Sequence, residues 1–378
     1  MSSNRLDVLV IGEGLSGITA AAAARSLGLQ VMLVGTGPGT FALGTGCVDL
    51  DKVDFRNPGC RDYSSKEMEA ATSFFLDLAA KAECAYKGGL GESRLVPTIR
   101  GTFQQVSMAP QSLWEGDPRG VANVVIAGFE NMPGFDPDFL AERLSFHCRQ
   151  LGLSTSYRGV IAKVPTSHTH ALTPVEVANG IDQDPDYCGA VLAALKAVAG
   201  DADRLIIPGL LGINSRDYDL CRFEKAIGCT ICELPTLPPS VPGLRLLWCL
   251  ERQLARVGVE LCTGFSVQKL CLEAGRCTGV LLDTPGRPRS IAADCVILAS
   301  GRFSRLLGDA TATSAAASRL DEALHSVDRQ GKVVAGNVLE CGSILGKFEP
   351  RYSNAIAILS GYQAAVLASE LGVQYAGR

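Results

Sequence analysis

An α/β fold built on a Rossmann-like parallel sheet is what this 378-residue sequence predicts, and three observations carry the prediction. The chain opens as strand, turn, helix and strand: LDVLVIG, then GEGLSG, then a run of alanines, then QVMLVG, the order of a βαβ unit. A later apolar strand, DCVILASG, ends in glycine at Gly301. Between them lies a stretch with its own strands and helices, left through ELPTLPPSVPGLRL, whose four prolines forbid regular structure over much of that run. The expected organisation is discontinuous. Residues 1–90 and 240–378 form the Rossmann-like domain, and residues 91–239 form an inserted α+β capping domain.

Each element has its reason. LDVLVIG is short and continuously apolar, as a strand covered on both faces must be. The helix from Leu15 to Leu27 is alanine-rich, and Gly28 stands where a helix C-terminal turn needs it. QVMLVG is the second strand. After a glycine-rich loop, SSKEMEAATSFFLDLAAKAECAY begins with a serine cap and carries apolar residues at helical spacing. In the insert, RLVPTIRGTFQQVSMAP, VANVVIAG and SYRGVIAKV read as strands and DPDFLAERLSFHCRQLG as a helix. Two helices opening at TPVEVANG and DYCGAVLAALKAVAG precede the apolar RLIIPGLLG. On the return, LRLLWCLERQLARVG reads as a helix and VELCTGFSVQKLCLEAG and RCTGVLLDT as strands. KVVAGNVLECGSILGKFEP then leads into a terminal helix. No internal repeat or low-complexity tract interrupts the pattern.

Gly12, Gly14 and Gly17 complete G-x-G-x-x-G between a strand and a helix. In that context the first glycine makes a tight turn, the second lets backbone approach a phosphate, and the third lets helix and strand pack closely. Leu15, Ser16 and Gly17 open the helix, whose free N–H groups then face the anion. The pattern predicts a nucleotide or flavin phosphate on this turn. The acid that usually ends the second strand and binds an adenosine ribose is absent: Gly35 and Thr36 stand there, and the next acid is Asp49. Either the ribose is held by other means, or the ligand has no adenosine. FMN satisfies the second option, and the same gap disfavours NAD as sole cofactor.

The stretch from Gly35 to Gly46 is rich in glycine and resembles the segment that flavoproteins of the fumarate reductase and glutathione reductase type lay against the isoalloxazine ring. That resemblance implies that Thr45, Gly46 and Cys47 lie near a flavin; a solvent loop is the alternative. VILASG at Gly301, followed by Arg302, resembles the later strand such proteins place beside the cofactor. GNVLECGSILGKFEP resembles their closing segment, which implies flavin contacts from Gly342, Ser343 and Ile344 beside a helix N-terminus.

Taken together, VIGEGLSG, HALTPVEVANGID, ELPTLPPSVPGLRL, ASGRFS and CGSILGKFEPRYSNAIAILSGYQAA resemble the B-subunit family of anaerobic glycerol-3-phosphate dehydrogenase, over most of the chain. The resemblance implies an FMN-carrying oxidoreductase subunit, with FAD as the alternative. It further implies an FAD-bearing A-like partner that oxidises glycerol 3-phosphate to dihydroxyacetone phosphate. An iron–sulfur C-like partner would pass electrons to quinone and hold the assembly at the inner face of the membrane. The other readings are a stand-alone FAD oxidoreductase and a cofactor-free structural subunit.

Composition narrows the rest. The net charge is −4 and basic residues are not clustered, which disfavours nucleic acid and an electrostatic membrane anchor. The longest uncharged stretch, Tyr352 to Ser369, contains Asn354, Gln363, Gly361 and serines, and reads as an internal helix. Fourteen scattered cysteines without a leader-like opening suit a reducing cytoplasm with buried thiols. The single CTIC pair, Cys229 and Cys232, is too few ligands for a structural metal site, so none is expected. A flavin needs no protein nucleophile. The weak candidates for acid–base or anion-binding work are His168, His170 and Arg302, while His147 reads as a packed or surface residue of a helix.

Overall fold

The computed structural model describes residues 5–50, 62–164, 171–214, 220–236, 238–301, 324–325, 332–346 and 349–376. The chain divides into two compact units, one of residues 1–41, 48–82 and 250–378, the other of residues 42–47 and 83–249.

The first unit opens with β1 (Leu6–Ile11), α1 (Leu15–Ser26), β2 (Val31–Gly35) and α2 (Ser65–Lys81). The second unit then contributes β3 (Tyr86–Gly88), β4 (Arg94–Pro97), β5 (Phe103–Val106), β6 (Met108–Pro110), α3 (Gln111–Trp114), β7 (Asn123–Phe129) and α4 (Pro137–Gln150). It continues with β8 (Ser156–Ala162), α5 (Pro174–Gln183), α6 (Pro185–Ala199), β9 (Arg204–Pro208), α7 (Leu220–Ile227) and β10 (Thr230–Leu234). Helix α8 (Val241–Arg256) carries the chain back to the first unit, which closes with β11 (Glu260–Thr263), β12 (Ser266–Glu273), β13 (Arg276–Asp283), β14 (Arg289–Leu298), β15 (Val338–Glu340) and α9 (Ser353–Ala376).

In the first unit the sheet order is β11-β2-β1-β14-β13-β12, with β15 also on β14. β1 lies between two parallel partners, Val8 facing Val31 of β2 and Cys295 of β14. A central parallel strand has no wet face, which is why LDVLVI needs apolar residues on both sides. β12 and β13 form an antiparallel arm continuing into β14. Helix α1 is buried from Leu15 to Ala24, and α9 packs along it. At Gly361 a Cβ would stand 2.5 Å from the Ser16 carbonyl oxygen, so only glycine lets the two backbones meet. By length and composition the segment Pro350–Gly372, which holds most of α9, could cross a membrane, with a mean hydropathy of 1.3, and 56% of it is buried inside the structure.

The main sheet of the second unit has the order β10-β9-β7-β8, with every pair parallel. Alternation along β7 explains the two layers that cover it. Val125 and Ala127 join Leu205, Val191, Leu195 and Phe223 on one face. Val124 and Ile126 join Ile206, Leu140, Leu144 and Trp114 on the other. The antiparallel share of the expected α+β insert is confined to two ribbons, β3–β6 and β4–β5. Strands separated by a helix return in the same direction, which makes the principal sheet parallel. A disulfide joins Cys84 to Cys249, closing nearly the whole unit into one loop. The cysteine reading, which treated thiols as buried hydrophobes, had no signal for a pair 165 residues apart.

Candidate functional site

The G-x-G-x-x-G turn sits at the carboxyl ends of the parallel strands of the first unit. Three backbone bonds fix it there. The Gly12 N–H donates to the Val34 carbonyl (2.7 Å), the Ala299 N–H to Ile11 (2.8 Å), and the Cys341 N–H to Leu298 (2.9 Å). Ligands of open α/β sheets bind outside these strand ends.

The three glycines do different work, and the contacts separate them. Gly12 has φ +123°, a conformation side chains resist, and a Cβ there would stand 2.3 Å from the Ala299 carbonyl oxygen. At Gly17 a Cβ would reach within 1.9 Å of the Gly12 carbonyl oxygen, so the third glycine seats α1 on the turn. Around Gly14 a Cβ would meet nothing within 4 Å. Packing therefore does not require glycine at 14; the space in front of it is open. Gly14 is also the N-cap of α1 and offers no side-chain cap, and the first turn carries no acid. Helix N–H groups left without a partner beside open space fit an anionic phosphate.

Other residues expected at the site converge on this turn. Gly342 has φ +78°, and a Cβ there would stand 2.2 Å from Ser16 Oγ. Its N–H donates to Ser360 Oγ of α9 at 2.9 Å. Ser343 Oγ lies 3.7 Å from where a Cβ of Gly301 would be. Gly301, Gly342 and Ser343 thus gather about the start of α1, with the half-buried Ile344 packed into the neighbouring core. Residues 342–345 form a single 3-10 turn, and the long helix begins only at Ser353. Cys341 is buried and its thiol is pushed up to about 12 by desolvation, against a hydrogen bond with Ser16.

At the end of β2, where sequence reading found no acid, a carboxylate is nevertheless present. A Cβ on Gly35 would stand 2.6 Å from Glu13 Cγ and 2.8 Å from Glu13 Cδ. Glu13, the middle residue of the first G-x-G, is 3% exposed, and its Oε1 is buried without a hydrogen-bond partner. Burial holds its carboxyl above the usual carboxylate range, opposed by a hydrogen bond from the Gly37 N–H. Glu251 of α8 is pushed up to about 7, first by burial and then by the charge of Glu13. Sequence reading passed over Glu13 because the middle position of G-x-G accepts any residue. The available signal was the pairing of an acid there with a glycine at the end of β2.

Thr45, Gly46 and Cys47 belong to the second unit. The Thr45 hydroxyl accepts from the Cys47 N–H at 3.2 Å, and the Tyr86 hydroxyl donates to the Gly46 carbonyl at 2.7 Å. Cys47 is packed among Val96, Val106 and Trp114. Burial raises its thiol to about 12, so it is no thiolate nucleophile near neutral pH. Cys232 is likewise buried with its thiol raised to about 12, and Cys229 is half-buried; both are free. Among the described residues no cluster of His, Cys, Asp or Glu could hold a metal ion. His168, His170 and Arg302 lie outside the described residues. His147 is a half-buried residue of α4 stacked edge-on against Phe146.

Comparison with known proteins adds relatives. A family model described as FAD binding domain matches residues 182–327. The probable anaerobic glycerol-3-phosphate dehydrogenase B subunit of Halobacterium salinarum is 26% identical over 422 residues, covering 96% of this chain and 98% of that protein. The anaerobic glycerol-3-phosphate dehydrogenase B subunit of Actinobacillus succinogenes is 26% identical over 329 residues, covering 79% of this chain and 74% of that protein. Among solved structures, the 3-ketosteroid-delta4-(5alpha)-dehydrogenase of Rhodococcus jostii RHA1 aligns over 97% of each chain at 11% identity and a TM-score of 0.40. The glycerol-3-phosphate dehydrogenase of Bacillus halodurans, complexed with FAD, aligns over 80% of this chain and 35% of that one, at 14% identity and a TM-score of 0.31.

Proposed function

Related over most of its length to proteins named as the B subunit of anaerobic glycerol-3-phosphate dehydrogenase, this chain is, we propose, the flavin-binding B subunit of such a complex. It takes part in the oxidation of glycerol 3-phosphate to dihydroxyacetone phosphate, relaying electrons toward quinone. The observation that carries the reading is the start of α1, an uncapped helix N-terminus facing open space across Gly14. A flavin bound there would supply the two-electron chemistry. The residues present fit its phosphate. The free N–H groups of α1 hold the anion, Gly12 and Gly17 keep the turn in place, and Gly301, Gly342 and Ser343 wall the same end of the sheet.

Substrate oxidation falls to an FAD-bearing A-like partner, and delivery to quinone to an iron–sulfur C-like partner that tethers the assembly to the inner face of the membrane. The residues about the start of α1 would then hold a flavin that serves electron exchange with the partners, and glycerol 3-phosphate would meet the A-like partner instead. Two observations stand on each side of the choice between FMN and FAD. The missing acid on β2 and the family resemblance favour FMN; Glu13 at the end of β2 and the matching FAD binding domain favour FAD.

Purification followed by visible spectroscopy and mass measurement of the released flavin tests the reading. The expected result is stoichiometric flavin, with glycerol 3-phosphate bleaching it only when an A-like partner is added. No flavin absorbance after reconstitution with both FMN and FAD defeats the proposal, and robust glycerol-3-phosphate turnover by the lone chain defeats the relay.

A further inference from the structure

We propose that Glu13 is the carboxylate that holds the adenosine ribose of FAD, supplied from the glycine turn in place of the usual acid on β2. The assignment rests on the flavin reading above and deepens it by choosing the flavin.

The geometry is reciprocal. In the common arrangement an acid about 20 residues beyond the turn accepts from the ribose hydroxyls. Here residue 35 is glycine, and the volume its side chain would occupy is filled by the Cγ and Cδ of Glu13. Glycine at 35 is what admits the glutamate, and the carboxyl group arrives at the end of β2 from the other strand. A carboxylate has no packing reason to be there. Burying one acceptor without a partner is destabilising, and in a residue only 3% exposed Oε1 has no donor. One oxygen is engaged by the Gly37 N–H, which orients the group and leaves the other for a ligand donor. Glu251 of α8 and Cys262 of β11 sense the charge of Glu13, and neither is a source of positive charge. A cis-diol, with hydroxyls that both donate and accept, is a neutral partner suited to a carboxylate beside a second, partly protonated carboxyl. FMN has no adenosine ribose to offer to this place; FAD does.

The test compares affinities of the full-length chain for FAD and FMN by fluorescence quenching, in the wild type, in Glu13→Gln, and in the double variant Glu13→Gly with Gly35→Glu. The wild type is expected to bind FAD at least ~10-fold more tightly than FMN, and Glu13→Gln to lower FAD affinity by about 10- to 100-fold, the range of hydrogen bonds to charged groups. FMN affinity should stay within about twofold, since the amide keeps the shape of the side chain. The double variant, which moves the acid to β2, should restore the preference for FAD. Equal loss of both flavins in Glu13→Gln marks a structural role and overturns the assignment, as does unchanged FAD binding or a wild-type preference for FMN. If Glu13→Gln fails to fold, the double variant decides: retained FAD preference supports the assignment and its loss overturns it. A wild-type chain that binds neither flavin defeats the flavin reading itself, and the Glu13 assignment with it.

Discussion

Two buried carboxylates, one in each unit, are handled in opposite ways. Glu233 of β10 is fully buried and fully answered. It accepts from the N–H groups of Leu210 and Leu211 and from Arg245 at 2.7 and 3.0 Å, while Arg245 Nε donates to the Gly212 carbonyl. Burial alone would raise its pKa, but the guanidinium and the backbone donors outweigh it and hold Glu233 below the usual carboxylate range. Glu13 in the first unit has one backbone donor, a carboxylate neighbour and an orphan oxygen, and its pKa is raised. Helix starts differ in the same way, though not by unit: α2 of the first unit carries a Ser64–Glu67 capping box. Asp136 caps α4, Asp184 caps α6, and Thr173 with Glu176 forms a capping box on α5. Helix α1 begins at a bare glycine. Glu233 and these cap residues of the second unit are answered within the fold, while Glu13 keeps an oxygen without a donor and α1 has no side-chain cap. Substitutions in the first group should therefore cost stability, and in the second binding.

The largest stability effect is expected at Arg245. Arg245→Ala leaves Glu233 buried without its cation and should destabilise the second unit by about 3–5 kcal/mol in chemical denaturation. A loss under about 1 kcal/mol, the scale of an exposed pair, would mean that the pair is not the centre of that unit. The same carboxylate sets an acid limit. Because its folded pKa is depressed, the stability it contributes is present above the unfolded value near 4.5 and lost as pH falls through the lower folded value.

Glu251 has the opposite sign. Its folded value is raised to about 7 from 4.5, so its penalty is absent below about pH 4.5 and complete above about pH 7. The shift corresponds to roughly 3 kcal/mol at 1.36 kcal/mol per unit, which solvent screening of a half-buried group reduces to about 1–2 kcal/mol. Glu251→Gln should raise stability by that amount at pH 8 and leave it unchanged at pH 4. Equal effects at both pH values would show that burial and the charge of Glu13 do not raise its pKa. The smallest change is a cap: Asp184→Ala should cost about 1 kcal/mol, read as a shift in denaturation midpoint with flavin affinity untouched.

Much of this contrast was legible before folding, and the part that was not has a common cause. The strand–turn–helix at Gly12, Gly14 and Gly17 and the cap residues before α2 and α5 are local signals, read within a few residues. The parallel order β10-β9-β7-β8 was not legible, because each strand shows its apolar character but not its neighbour. The Cys84–Cys249 disulfide and the approach of Glu251 to Glu13 join residues far apart in the chain. Glu13 itself was hidden by direction. An acid was expected along β2, and it came from the turn after β1, visible only once Gly35 is seen to make room for it.

The central claim is that the bare start of α1 holds a flavin phosphate, and Gly14→Val tests it most directly. Gly14 has φ −78° and ψ 175°, which valine adopts freely, and its Cβ would meet nothing within 4 Å. The variant should therefore fold, with a stability loss of about 1 kcal/mol or less from the poorer N-cap. In side-by-side reconstitution, the wild type should retain flavin through gel filtration and the variant should retain none, as the new methyl groups occupy the approach to the helix N–H groups. A folded Gly14→Val chain that keeps its full flavin content contradicts the account.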